Sequence, residues 1–87
     1  MNDPAKPFPV ERIQTGVRME RRLVKVLKAL AEYQNLTLGD LLEGIVLHAF
    51  EGKAPFSPET LRTIGEFKRI YALDLDAGAS HRLRERQ

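Results

Sequence analysis

The sequence predicts a mainly α protein completed by a second copy of itself, with one short N-terminal strand and two core helices per chain and an additional C-terminal helix. Three observations lead there. Side chains alternate in character over residues 10–19, the period of a strand, and apolar residues recur at helical spacing in three later segments. The chain has only 87 residues and no cysteine, so it has room for one small core and no disulfide or thiolate–metal site to support it. With 43% hydrophobic and 30% charged residues at a formal net charge of +2, it is too apolar and too balanced for a disordered polyelectrolyte.

Residues 1–9 hold three of the five prolines (Pro4, Pro7 and Pro9) and little apolar content, which predicts a flexible arm. The strand follows. Ile13, Thr15, Val17 and Met19 share one face, and Arg12, Gln14, Gly16 and Arg18 share the other. The period then changes: Leu23, Leu27, Leu30 and Ala31 predict a first helix over 20–34, and Asn35 suits the left-handed residue that ends it. Thr37 is a helix cap with Asp40 three residues on, so a second helix begins at Leu38. Its stripe of Leu38, Leu41, Leu42, Ile45, Ala49 and Phe50 runs to about Glu51, where Gly52 supplies the stop. After a linker, Ser57–Pro58 starts a third helix over 58–72. That helix carries an apolar face of Leu61, Ile64, Phe67 and Tyr71, which must be covered by its own dimer or by another protein. The organisation is therefore an arm (1–9), a strand-and-two-helix domain (10–52), a linker with an added helix (53–75) and a tail (76–87) without strong period, expected to fray.

Charge is segregated along the chain. Between residues 12 and 28 the six basic residues Arg12, Arg18, Arg21, Arg22, Lys25 and Lys28 face the single acid Glu20, a net +5. Between 29 and 52 the acids Glu32, Asp40, Glu43 and Glu51 meet no lysine or arginine, a net −4. Such a two-sided molecule either solvates both faces or offers the basic one to a polyanion.

A lone strand cannot satisfy its own backbone, and two helices beside it leave an apolar face open. A second copy answers both needs: two strands pair as an antiparallel ribbon across a two-fold axis, with four helices closing a shared core. The outward face of that ribbon holds Arg12, Gln14, Gly16 and Arg18 from each chain.

The run from Ile13 to Phe50, namely Ile-Gln-Thr-Gly-Val-Arg-Met-Glu-Arg-Arg-Leu, then Leu27 and Ala31, then Asn-Leu-Thr-Leu-Gly-Asp-Leu-Leu and Ile45, resembles the ribbon-helix-helix family, the Arc/MetJ superfamily of DNA-binding repressors. The resemblance covers residues 12–52. It implies a homodimer whose ribbon enters the major groove, with Gln14, Gly16 and Arg18 at the base-reading positions. It also implies that backbone amides near Thr37 and Leu38, at the start of the second helix, clamp a phosphate. The chemistry agrees with that use. Arginine donates two hydrogen bonds to guanine and glutamine pairs with adenine, each worth about 1–3 kcal/mol of discrimination. Gly16 reads nothing itself but lets backbone come close to a neighbour. Arg12, Arg21, Arg22 and Lys25, with Lys28, are the expected phosphate contacts.

The expected function is thus a homodimeric transcriptional repressor binding double-stranded DNA. The rival expectation, from another class, is a dimeric antitoxin-like interaction module holding a protein partner through residues 57–87, with Phe67 and Tyr71 as its anchors. A helix-turn-helix scheme would place the second helix in the groove, where Asp40, Glu43 and Glu51 make it electrostatically wrong. His48 and His81 alone do not make a metal site, and no grouping of nucleophile, base and orienting residue is visible, so neither enzyme activity nor a cofactor is expected. The start Met1-Asn2-Asp3-Pro4 lacks the pattern of a signal peptide, and no run is apolar enough to span a membrane, which makes the cytoplasm the expected compartment.

Overall fold

A computed structural model of the chain describes residues 7–86; residues 1–6 of the expected arm and Gln87 of the expected tail lie outside the described residues. Three α-helices follow one another, α1 (Arg21–Tyr33), α2 (Leu38–Phe50) and α3 (Pro58–Ile70), then a single 3₁₀ turn at Ala77–Ala79.

There is no strand among the described residues. Residues 10–19 carry no regular structure, which overturns the predicted strand and with it the ribbon-helix-helix fold class expected for the chain. The physical reason is that alternation records which side chains prefer the same face, whereas a strand exists only through a ladder of hydrogen bonds to another strand. No second segment among the described residues offers one. Ile13 and Val17 are accordingly left 83% and 75% exposed.

The helices start and stop where local chemistry requires. The Glu20 carboxylate caps α1 by accepting hydrogen bonds from the backbone N–H groups of Arg22 and Leu23. Asn35 ends the helix with φ 58°, and the Leu36 N–H donates back to the Ala31 carbonyl at 2.9 Å. Thr37 Oγ1 caps α2 by accepting from the Asp40 N–H at 3.0 Å, and Gly52 ends it with φ 70°. Ser57 caps α3, with Pro58 as its first residue. α3 stops two residues before the expected end because Ala72 turns left-handed, φ 54°, and the Leu73 N–H returns to the Lys68 carbonyl at 2.8 Å.

α1 is the central helix, packing on both α2 and α3, which do not pack on each other. Leu30, Ala31 and Leu41 form the core, surrounded by Leu27, Ile45, Phe56, Ile64 and Phe67. Tyr33 meets the Phe67 ring edge-on, with centroids 6.0 Å apart. Much of the α3 face that sequence reasoning assigned to a dimer or a partner is therefore covered by α1 of the same chain, while Leu61 and Ile70 remain exposed. No described helix is long and apolar enough to cross a membrane.

Candidate nucleic-acid interface

The basic residues of α1 divide into two groups. Arg21, Lys25 and Lys28 stand at i, i+4 and i+7, so the helix puts them on one stripe, and all three are exposed. None of them is in an ion pair among the described residues. The Lys25 ammonium lies 5.8 Å from the centre of the Tyr71 ring, which steadies it at the end of α3 without neutralising it.

Arg22 faces another way and is occupied. Its Nε donates to Glu20 at 3.0 Å, and its Nη1 donates to the Ala72 carbonyl at 3.0 Å and to Asp74 at 2.9 Å. This fastens the start of α1 to the chain that leaves α3. The expected phosphate contact is thus engaged as a structural tie. Partial burial pushes the Glu20 carboxyl upward, but the Arg22 guanidinium and the backbone N–H groups of Leu23 and Arg22 outweigh it and hold the group below the ordinary carboxylate range.

The segment before α1 carries the proposed base readers. Gln14, Gly16 and Arg18 are all exposed, and nothing lies near enough to Gly16 to meet an added Cβ. Gly16 is thus not required by a close contact within the chain. Two arginines tether this segment. Arg12 grips Glu43 on α2 with Nε and Nη2, each 2.9 Å from a carboxylate oxygen, and the hydrogen bond together with the charge holds Glu43 below the ordinary carboxylate range. Arg18 pairs with Glu85 of the C-terminal segment. Both pairs are solvent-exposed, a setting in which ion pairs contribute little to stability and exchange readily.

Thr37 and Leu38 do stand at a helix N-terminus, but the Thr37 hydroxyl and the Asp40 side chain already occupy its first turn. The acid is favourable to the helix dipole and unfavourable to a second anion. His48 is accounted for locally: its Nδ1 hydrogen-bonds to the Gly44 carbonyl oxygen at 2.7 Å.

Opposite the basic stripe the molecule is open and apolar. α2 carries Leu41 into the core, yet Val46, Leu47 and Phe50 on its other sides are exposed, Phe50 by 85%. Val10, Ile13 and Val17 are exposed as well. A groove of about 460 Å³ lies between α1, α3 and the C-terminal segment, lined by Leu23, Leu27, Phe56, Leu75 and Leu83 among others.

Sequence reasoning did not single out the C-terminal arginines. Residues 76–86 make three contacts: Asp76 caps the 3₁₀ turn by accepting from the Gly78 N–H at 2.9 Å, the half-exposed Leu83 lines the groove, and Glu85 reaches Arg18. The signal available was the alternation Arg82-Leu83-Arg84-Glu85-Arg86, which places arginine at every second position.

No family model matches the chain, and no curated protein or solved structure shows significant similarity to it.

Proposed function

We propose that this chain is a sequence-specific protein that binds double-stranded DNA as a homodimer and represses transcription. The observation that carries the reading is the stripe of Arg21, Lys25 and Lys28, exposed, without ion-pair partners among the described residues, and continuous in sequence with Arg18. Cations so arranged neutralise DNA phosphates and release the counterions condensed on them, which is a large source of affinity for DNA.

The homodimer rests on the poverty of the core. Only Val26, Leu30, Ala31, Leu41 and Leu73 are buried apolar residues among those described, too few for a domain this size to be independently robust. α2 is apolar on more sides than one chain covers, which is the pattern of a helix buried between two bodies. The acidic α2 side suits a protein interface away from DNA. A second copy placed over Val46, Leu47 and Phe50 leaves the α1 stripes of both copies free for phosphate.

Fluorescence anisotropy of a labelled duplex, drawn from selection on a random-sequence library, tests the reading. Binding should weaken steeply with salt. Arg18→Ala should cost about 1–3 kcal/mol on the selected duplex and relax its specificity, whereas Lys25→Ala should weaken all duplexes alike. Failure of the unaltered protein to bind any duplex at low salt would overturn the proposal.

A further inference from the structure

The C-terminal residues 80–86 have no regular secondary structure and are exposed, yet they touch the rest of the chain at two points. Leu83 lines the apolar groove between α1 and α3, and the Glu85 carboxylate pairs with Arg18 across the surface. Between and beside these anchors stand Arg82, Arg84 and Arg86, all exposed and none in an ion pair among the described residues. Arg82 makes one long hydrogen bond, from Nη1 to the Gly78 carbonyl at 3.4 Å. Through the pairing of Glu85 with Arg18 the segment that carries Arg84 and Arg86 runs beside Arg18. Of these arginines only Arg18 is paired with Glu85, so the charges of Arg82, Arg84 and Arg86 remain available.

We infer that residues 82–86 form a second phosphate-binding arm, docked by Leu83 and Glu85 beside Arg18, that lays Arg82, Arg84 and Arg86 along the backbone of the same duplex. The inference rests on the DNA-binding reading above and extends its surface by a segment 67 residues away in sequence. Guanidinium is the suitable group for this use, since it stays charged at all accessible pH and its planar fork matches phosphate oxygens. Glu85 is the docking group and also a self-mask: while it holds Arg18 the arm is in register, and phosphate can replace it because the pair is largely exposed to water.

The test compares the salt dependence of duplex binding for the full chain and two triple variants. One is Arg82→Gln, Arg84→Gln, Arg86→Gln; the other, with the same change in net charge, is Lys53→Gln, Arg62→Gln, Arg69→Gln on α3 and the linker before it. Each phosphate contact contributes roughly 0.9 to the slope of log affinity against log salt. The C-terminal variant should therefore lose about 2–3 from the slope and at least tenfold in affinity at low salt, with its helical circular dichroism unchanged. The charge-matched variant should stay close to the parent. Equal slopes for the parent and the C-terminal variant, or equal losses in both variants, would overturn the arm while leaving DNA binding standing. A parent that binds phosphatidylserine vesicles and no duplex would overturn both.

Discussion

The side of α1 that meets α3 and the side of the molecule built from α2 and residues 7–19 both carry apolar side chains but are finished differently. Along α1 and α3, Leu30 is almost completely buried, Phe67 receives the edge of Tyr33, and Arg22 ties the two ends together through Glu20, Asp74 and the Ala72 carbonyl. On the other side, Ile13, Val17, Leu47 and Phe50 stand in water, and the segment before α1 meets α2 through the exposed pair of Arg12 and Glu43. The difference teaches that one chain completes a seam and leaves a face. The charges respect the same division, since the unpaired cations of α1 belong to neither apolar surface.

The comparison is most severely tested at Leu30. If the seam is the main source of stability within a chain, Leu30→Ala should cost about 2–5 kcal/mol, the range for truncating a fully buried leucine. Chemical denaturation at fixed protein concentration measures it. A cost near zero would mean that the seam is not the core.

The open face should respond in another way. Leu47→Ser with Phe50→Ser changes exposed positions, which in a monomer commonly shift stability by only about 0.5 kcal/mol. If a second copy covers them, the parent should sediment as a dimer and melt at a temperature that rises with concentration, and the double variant should sediment as a monomer with no such dependence. A parent that is monomeric at every concentration would remove the dimer and leave the exposed α2 residues without an occupant.

These two faces were not equally legible in the sequence. The helix limits followed from residues with local chemistry: Thr37 and Ser57 as caps, Asn35 and Gly52 as left-handed stops. Ala72 carries no such mark, so the end of α3 and the burial of Leu73 just beyond it were missed. The basic stripe of α1 was readable because its spacing is that of a helix. The use of Arg22 was not, since its partners Ala72 and Asp74 lie 50 and 52 residues away and only folding brings them near. The strand failed for a different reason: its pattern is local, but the hydrogen bonds that define a strand are not. In the tail, neither the contact of Leu83 with the groove nor the pairing of Glu85 with Arg18 leaves a trace in periodicity.

The smallest effect sharpens the seam rather than the face. Glu20 is the one acid in the basic segment, and the structure employs it twice, as the cap of α1 and as a partner of Arg22. Its folded carboxyl titrates below the ordinary range, so it binds fewer protons in the folded chain than in the unfolded one at mildly acidic pH. The stability it contributes is therefore fully present above the unfolded value, roughly 4.3, and is lost as pH falls through the lower folded value. Glu20→Gln keeps an oxygen for the cap and removes the charge that Arg22 meets. The melting temperature of the variant should lie slightly below that of the parent at pH 7, and the two should converge as the pH is lowered past the ordinary carboxylate range. Glu43 is also held low by Arg12, but it is present in both proteins and cancels from the difference. A gap that stays constant down to acidic pH would show that the Glu20 charge contributes nothing and that capping alone accounts for the residue.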